Sequence, residues 1–285
     1  MSRVSYSQMS LWHNCPLQWK LRYVDKLTEQ KSNIYLVFGS AMHTVLQEYL
    51  DCMYNRSVKI ADTLDLPSRL QEEMVIEFQK AVKKYDSKPA SKEEMQEFFQ
   101  DGINIIDFFK KRRADYFSKK HWELVGCEIP VNVSLSESIK FIGYLDVVLY
   151  HPPTNRYKIL DIKTSTMGWN KYQKKDKSKT AQLLLYKKYF AEQRGLDINN
   201  IDIEYFIVKR RLYEKADFPQ KRIQSFIPAN GSVSVNKAVQ SMTEFVAGSF
   251  DPQGNHIADQ MATPSKKSCR YCEFKRTEHC AEGVG

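Results

Sequence analysis

Residues 140–163 place two apolar segments on either side of a short, turn-forming connection, and this stretch constrains the chain most. It reads KFIGYLDVVLYHPPTNRYKILDIK, and the linking HPPTN predicts a tight turn. An antiparallel hairpin folded about the Pro153–Thr154 bond brings Asp146 opposite Asp161. Cross-strand neighbours lie roughly 5 Å apart, and side chains alternate along a strand, so Lys163 emerges on the same face as Asp161. A bulge in either strand would move one carboxylate to the other face.

The setting of the two aspartates predicts a metal site. Apolar residues flank both of them, namely Leu145, Val147, Leu160 and Ile162. Such runs are typical of strands covered on both faces, where an unpaired carboxylate is costly. Two hard oxygen ligands at cross-strand distance suit a divalent cation such as Mg²⁺ or Mn²⁺, whose charge removes their mutual repulsion. The alternative is an ordinary hairpin with two solvated aspartates.

The same residues resemble a known family. The segments GYLDVV and ILDIKTS, at 143–148 and 159–165, are similar to the active-site signature of PD-(D/E)XK nucleases. The similarity is closest to the RecB and AddB nuclease domains and to the small CRISPR-adaptation exonucleases. It implies an α/β fold with a restriction-endonuclease-like core, in which helices flank a mixed central sheet. It also implies metal-dependent cleavage of DNA, with Asp146, Asp161 and Lys163 as the catalytic residues.

Composition and charge are compatible with such an enzyme. The chain has 285 residues, of which 42% are hydrophobic and 27% charged, as in folded globular proteins. Its net charge of +9 favours a polyanionic partner. No apolar run reaches the roughly 20 residues of a membrane span. The N-terminus also lacks the apolar core of a secretory signal, so we expect no membrane association and a cytoplasmic protein, or one inside a host cell if viral.

The hydrophobic pattern divides the chain into four regions. They are an N-terminal segment (1–30), a helical lobe (31–120), a nuclease core (121–230), and a C-terminal helix with a cysteine-rich tail (231–285). In the N-terminal segment we predict two short helices broken at Cys15-Pro16, with Tyr23 packing inward. In the lobe, we predict that one helix opens at Gly39-Ser40 and that a later one runs from 91 to about 120.

Further metal ligands are expected outside the hairpin. His43 lies in the sequence GSAMH, in the first turn of the helix predicted to open at Ser40. A lone helical histidine is more often structural, but the resemblance makes His43 a metal ligand, and a neutral imidazole suits Mn²⁺ better than Mg²⁺. The backbone carbonyl of Ile162 completes the expected ligand set. The resembled family often carries a glutamate on the first strand, so Glu128 is either a supporting residue of the site or purely structural.

A basic segment after Lys163 is the expected DNA contact. It contains Lys171, Lys174 and Lys175 together with Trp169, whose ring is suited to stack on bases. A solvated surface loop is the alternative. In the following helix Gln182 and Tyr186 are four residues apart and share one face. They match a Q-x-x-x-Y element of the resembled family, which implies that they hold DNA; by periodicity alone Tyr186 belongs equally well to the core.

Four cysteines at the two ends of the chain predict a second metal centre. Cys269, Cys272 and Cys280 lie close together in the tail, and Cys15 supplies a fourth thiol. The resemblance implies a [4Fe–4S] cluster that joins the two ends of the chain. The chemistry of the thiols alone also allows a structural Zn²⁺, with His279 able to replace one of them. Disulfides are the remaining alternative, and an intracellular location disfavours them.

These observations predict a metal-dependent DNA exonuclease that acts in recombination, repair or replication-associated processing. Its expected partner is DNA, either single-stranded or at duplex ends. The sequence has no G-x-x-x-x-G-K-[ST] phosphate loop, so a helicase or recombination protein is expected as a separate chain. Two alternatives stay open: a structure-specific endonuclease on the same fold, and a DNA-binding subunit without catalytic activity.

Overall fold

The computed structural model of the protein describes residues 1–27, 32–213 and 215–285. Its helices are α1 (Tyr6–Asn14), α2 (Pro16–Trp19), α3 (Ile34–Asn55), α4 (Val58–Asp62), α5 (Leu66–Tyr85), α6 (Lys92–Arg112), α7 (Lys171–Lys175), α8 (Lys177–Arg194) and α9 (Ser232–Ser249). Its strands are β1 (Ser2–Val4), β2 (Glu123–Ser134), β3 (Ile139–His151), β4 (Arg156–Ser165), β5 (Ile201–Lys209) and β6 (Ile223–Phe226). The predicted boundary between the N-terminal segment and the helical lobe, at residues 30 and 31, lies outside the described residues.

The described strands form one mixed six-stranded sheet in the order β1-β3-β4-β5-β6, with β2 paired to β3. β3 pairs with both β2 and β4 in antiparallel orientation, and β5 pairs with β6 in the same way. The β1–β3 and β4–β5 pairs are parallel. The β3–β4 turn is a short 3₁₀ segment that ends at Asn155, whose φ of 50° is left-handed. The predicted central hairpin is therefore present.

Alternate residues of β5 face two separate hydrophobic cores. Ile203, Tyr205 and Ile207 belong to a core that includes α8 and α9. Phe206 and Val208 belong to the other, which includes α3, α5 and α6. A central sheet therefore lies between two helical layers, which confirms the predicted α/β architecture of a mixed sheet flanked by helices.

The sheet forks between β3 and β4. β3 pairs with β2 through residues 140–150 on one edge. Its other edge pairs with β1 through 139–141 and with β4 through 147–151. Within the described chain, residues 142–146 of β3 have no paired strand on that edge. β4 meanwhile continues to Ser165 paired with β5. The strands thus separate after the Val147–Leu160 pair, and the gap between them is open to side chains from other elements.

Helix α3 begins earlier than the sequence predicts. Its N-cap is Asn33, whose side chain accepts a hydrogen bond from the amide of Leu36. Ser40 is therefore inside the helix and not its cap, and His43 lies in the third turn instead of the first. The prediction failed because it treated the glycine before Ser40 as a helix start.

Gly39 serves close packing within α3. A Cβ atom at this position would lie 3.2 Å from Oγ1 of Thr164, on β4. Glycine tolerates such an approach because it carries no side chain. The helix can therefore pass close to β4 at Thr164, the residue after Lys163, and this brings His43, one turn later on α3, toward the fork.

Two other predictions about helices need correction. The helix predicted to reach residue 120 ends at Arg112, and a 3₁₀ turn over Arg113–Asp115 follows it. Tyr23, predicted to pack inward, is 39% exposed, whereas Trp19 is fully buried. Tyr23 belongs to a π-helical turn over Lys20–Val24. The extra residue in such a turn shifts side chains away from the face that a period of 3.6 predicts.

None of the described helices has the length and apolar content needed to cross a membrane.

Candidate active site

The candidate active site lies where β3 and β4 separate. The last described pair before the fork, Val147 with Leu160, places position 146 opposite position 161, which is the predicted register. Asp161 and Lys163 then lie on one face of β4, and Nζ of Lys163 is 2.7 Å from Oδ2 of Asp161. The fork therefore collects two carboxylates and one ammonium group.

A single hydrogen bond joins the two strands inside the fork. The amide of Ile162 donates to Oδ2 of Asp146 at 2.7 Å, so a side chain replaces the missing backbone partner. The side chain of Asp146 is only 13% exposed. Its position is thus fixed by the backbone of the opposite strand, and this preorganises one ligand of the site.

Asp161 leaves one buried oxygen suited to a cation. The residue is 2% exposed, and its Oδ2 has no partner at hydrogen-bond angles. The nearby ammonium of Lys163 approaches this oxygen as an ion pair with poor hydrogen-bond alignment. Buried carboxylates are paired or coordinate metals, so this donor set fits a divalent ion.

Burial and mutual charge perturb the titration of these groups. Burial raises the pKa of Asp146 to about 6 and that of Asp161 to about 6, and in both cases the charge of Lys163 opposes the shift. Burial lowers the pKa of Lys163, but the charges of Asp161 and Asp146 outweigh it, so the net shift is upward. Lys163 is therefore a cation, whereas each carboxyl binds its proton until the pH exceeds about 6 or a metal displaces it.

A histidine and a glutamate approach Asp146 from other elements. Ligand atoms of His43, Glu128 and Asp146 all lie within 4.8 Å of one another. Nδ1 of His43 is 3.5 Å from Oδ2 of Asp146. Burial, followed by the charge of Lys163, lowers the pKa of His43, so its ring is neutral near pH 7 and can bind a metal. His43 also hydrogen-bonds the backbone of Ile162, the predicted carbonyl ligand, and this contact opposes the downward shift of its pKa.

Glu128 occupies a strained position in β2. The β2–β3 ladder runs from Cys127–Val147 to Ile129–Leu145, and Glu128 lies between these pairs with a φ of 52°. A left-handed conformation costs a non-glycine residue about 1–2 kcal/mol, and such strain is concentrated at functional sites. Here the conformation accompanies the approach of the carboxylate to His43 and Asp146, which the sequence pattern of an alternating strand does not predict.

Gln47 links Glu128 to Asp146 and was not predicted. Its Nε2 donates to Oε1 of Glu128 at 2.7 Å and to the backbone oxygen of Asp146 at 3.0 Å. Gln47 follows His43 by four residues on α3, so the two side chains share one helical face. That spacing was the only signal in the sequence that could have identified it.

Tyr186 fills the open part of the fork. Its ring packs so closely on Gly143 of β3 that a Cβ atom there would lie 2.6 Å from the ring. Nε2 of Gln182 donates to the Tyr186 hydroxyl at 3.3 Å. Burial raises the pKa of Tyr186, and the charge of Asp161 raises it further. Tyr186 is 7% exposed and belongs to the core that includes α8 and α9, so its predicted contact with DNA stays a prediction.

Comparison with known protein families gives one match, the model of the PD-(D/E)XK nuclease superfamily, over residues 3–277. The chain belongs to the PD-(D/E)XK nuclease superfamily. No curated protein matches it. The match covers nearly the whole chain, including the N-terminal helices and the helical lobe, and it ends before Cys280. Nucleases of this superfamily usually use divalent metals, which agrees with the donor set in the fork.

Tyr6 carries a buried hydroxyl whose pKa responds to charges of this PD-(D/E)XK site, and it was not predicted. It lies in the first turn of α1, and its hydroxyl donates to the backbone oxygen of Ser178 at the start of α8. Burial raises its pKa, and the charges of Lys163 and Asp161 act on it as well. No sequence pattern connects Tyr6 to a hairpin so far away along the chain.

Trp169 is not positioned to stack on bases, which corrects the prediction from sequence. It is 9% exposed, and its ring lies 4.8 Å from that of Tyr205 and 6.0 Å from that of Phe226. The side chain of Gln224 also accepts a hydrogen bond from the backbone amide of Trp169 and donates one to its backbone oxygen. The prediction counted the tryptophan as part of a polar loop, but its large apolar surface is buried in the core next to α8.

The predicted lysine contacts lie on and around α7. Lys171 and Lys175 are exposed, and Lys174 is partly buried with Nζ 5.6 Å from the Phe226 ring. Lys174 and Lys175 line a groove of about 340 Å³ that also includes Lys177 and Lys237. None of its lining residues is acidic, so the groove attracts anions.

The two ends of the chain lie side by side. The amide of Leu17 donates to the backbone oxygen of Met261 at 3.2 Å. Both Nε and an Nη atom of Arg22 donate to the carboxylate of Glu273 at 2.8 Å. Because Glu273 follows a tail cysteine, these contacts hold the N-terminal helices against the cysteine-rich tail.

The four predicted cluster ligands are free thiols near the two chain ends. Burial raises the pKa of Cys272, and the charges of Cys15 and Cys280 add to that shift. Cys269 is buried. Within the described chain, no three of these sulfurs lie within 4.8 Å of one another.

Proposed function

We propose that this protein is a Mg²⁺- or Mn²⁺-dependent DNA exonuclease whose reaction centre is the fork between β3 and β4. The observation that carries the proposal is the convergence of Asp146, Asp161 and Lys163 at one point. Membership in the PD-(D/E)XK superfamily supports nuclease chemistry at that point.

The proposed ligands are His43, Asp146, Asp161 and the backbone carbonyl of Ile162. Glu128 is a further carboxylate within reach, which extends the supporting role inferred from sequence. A divalent ion bound there lowers the pKa of a water molecule and neutralises charge on the phosphate. Oxygen ligands with one neutral imidazole suit Mn²⁺ and accommodate Mg²⁺.

The residues of the chain supply positioning and charge. Lys163 carries its positive charge beside Asp161 and is placed to stabilise negative charge that develops on the scissile phosphate. Tyr186 packs on Gly143 at the fork and accepts a hydrogen bond from the partly exposed Gln182, and we propose that Gln182 orients the strand to be cut. Lys171, Lys174 and Lys175 contribute phosphate contacts that carry no sequence preference, as a degradative enzyme requires.

The resemblance to exonucleases favours attack from an end, in recombination, repair or replication-associated processing. DNA is the proposed partner, supplied by a separate helicase or recombination protein. The test is digestion of end-labelled linear DNA and of covalently closed circular DNA of the same sequence. We expect the linear substrate to be degraded and the circle to persist. Cleavage of the circle would identify an endonuclease, and binding without any cleavage would identify a silent subunit.

The proposal for the cysteines is a [4Fe–4S] cluster held by Cys15, Cys269, Cys272 and Cys280. The resemblance to nucleases that hold a cluster with one N-terminal and three C-terminal cysteines supports the cluster over structural Zn²⁺. Four thiolates can bind either metal group, so the metal content of the purified protein decides between them. The proposed role of the cluster is to join the two chain ends against the nuclease core.

A further inference from the structure

A polar cleft opens where the two chain ends meet at the start of α8. Its volume is about 740 Å³. Its walls come from α1, the π-helical turn after α2, the start of α8 and the tail around residues 265–267. Neither the metal ligands nor the lysines around α7 line it, so the groups already assigned to catalysis and phosphate binding do not account for it.

Helix α8 connects this cleft to the fork. Tyr6 lines the cleft, and its hydroxyl donates to the backbone oxygen of Ser178, another lining residue. Ser178 precedes Gln182 by one helical turn on α8. Gln182 donates to Tyr186, whose ring packs on Gly143 of β3. A strand bound at the fork can therefore follow α8 into the cleft.

The cleft offers positive charge and hydrogen-bond donors. Arg22 and Lys267 line it, together with the hydroxyls of Ser7 and Ser10. None of the lining residues, all of which the structure describes, is acidic. Such a combination of cations and hydroxyls is typical of contacts to a phosphate backbone.

The neighbouring carboxylates are already occupied. Glu273 accepts two hydrogen bonds from Arg22 and a third from Nε2 of Gln18, and it fixes the Arg22 guanidinium at the cleft wall. Asp176 caps α8 by accepting from the amide and the hydroxyl of Ser178. Neither acid lines the cleft, so the surface presented to a ligand consists mainly of donors.

Tyr23 provides an aromatic face. It lines the cleft and is 39% exposed, although its position in an aromatic-rich helix predicts a core residue. An exposed ring among phosphate contacts is suited to stack on an unpaired base. In a duplex the bases are already stacked and paired, so duplex DNA leaves this ring without a partner.

We propose that this cleft binds the single-stranded segment of DNA adjacent to the scissile phosphate. Its phosphates would contact Arg22, Lys267 and the serine hydroxyls, and one base would stack on Tyr23. The inference rests on the proposed function, because it extends the path of the strand that the fork cuts. It names single-stranded DNA as the substrate class that the enzyme prefers on this side of the cut.

The test measures binding separately from cleavage. Fluorescence anisotropy in buffer without divalent cations gives affinities for single-stranded oligonucleotides of increasing length and for blunt duplexes. We expect the affinity of the wild-type protein to rise with single-strand length until the cleft is filled. Tyr23→Ala and Lys267→Ala should each bind long single strands about tenfold more weakly than the wild-type protein does. Tyr23→Phe should bind them like wild type. The shortest oligonucleotides should bind all variants alike.

Lys59→Ala is the matched control, since it removes one exposed lysine from α4. Two results would overturn the inference: unchanged length dependence in both Tyr23→Ala and Lys267→Ala, or an equal loss for blunt duplexes. Lys267 is exposed, so its variant tests the idea even where Tyr23→Ala fails to fold. Failure of the proposed function has a different signature, namely intact length-dependent binding with no cleavage in Mg²⁺ or Mn²⁺.

Discussion

The amide of Ile162 donates to Oδ2 of Asp146 at 2.7 Å across the point where β3 and β4 separate. The last regular pair of β3 and β4 is Val147–Leu160, next to Asp146, so this bond holds the Asp146 carboxylate where the strands separate. On β4, Ile162 lies between Asp161 and Lys163, which are the buried carboxylate and the lysine of the candidate site. One backbone segment therefore supplies two of the proposed catalytic side chains and positions the third.

Titration of the two carboxyls should make the metal-free protein less stable as the pH rises. The pKa values of Asp146 and Asp161 are raised from 3.8 to about 6, so the folded state binds their protons more tightly than the unfolded chain does. Their contribution is complete below about pH 4 and is lost as the pH rises through about 6, by up to about 3 kcal/mol per carboxyl.

Urea unfolding without divalent cations, from about pH 5 to about pH 8, checks this expectation. Asp161→Asn is the control, because it removes one titrating group and should flatten the pH dependence. Added Mn²⁺ should restore stability to the wild-type protein at the higher pH, since it replaces the protons. An identical pH dependence in wild type and Asp161→Asn would contradict the account.

Glu128 should act through metal affinity. Glu128→Gln keeps a hydrogen-bond partner for Gln47 but removes the charge near His43 and Asp146. We expect Mn²⁺ affinity to fall by about tenfold or more, with little change in the free energy of unfolding. Isothermal titration calorimetry measures the affinity. Glu137→Gln, an exposed change in the β2–β3 turn, is the control and should bind Mn²⁺ like wild type. Equal affinity in both variants would make Glu128 a structural residue.

Gly143→Ala should disturb the fork through Tyr186. The added methyl group would lie 2.6 Å from the tyrosine ring, so the ring must move. We expect a loss of about 1–3 kcal/mol in the free energy of unfolding, together with slower cleavage at saturating substrate. In the double variant Gly143→Ala/Tyr186→Ala the clash is absent, so its destabilisation should be smaller than the sum of the two single changes. Additive effects would show that the two residues do not constrain each other.

The cysteines should bind iron as a unit. Protein purified without air should be brown and contain about four irons per chain if all four thiols hold one cluster. Cys15→Ala should lose iron and stability even though it lies far in sequence from the three tail cysteines, because cluster formation is coupled to folding. Cys52→Ala, a buried thiol of α3, should retain the iron. A colourless protein with one zinc would replace the cluster by the alternative metal.

The central hairpin could be predicted from sequence because its information is local. Alternation along two strands and one turn determine which residues oppose each other, so Asp146, Asp161 and Lys163 follow from spacing alone. The mixed sheet flanked by helices followed in the same way, from apolar periodicity and from the resemblance of the motif.

The rest of the site depends on contacts that spacing does not encode. Tyr6 contacts the start of α8 because α1 packs near that helix, and Glu128 approaches Asp146 through a left-handed φ within a strand. The start of α3 was misplaced because Gly39 signals both helix ends and close packing. Trp169 was assigned to a polar surface because its neighbours in sequence are polar, although its neighbours in space are Tyr205 and Phe226.

The most direct measurement of the central claim is cleavage by Asp161→Asn. The substitution keeps the shape of the side chain but removes the charge that binds metal at the fork. End-labelled single- and double-stranded DNA would be incubated with wild type and variant in Mg²⁺ or Mn²⁺, with binding measured in parallel. The account predicts that the variant binds DNA and folds like wild type but cleaves neither substrate. Undiminished cleavage by Asp161→Asn would contradict it.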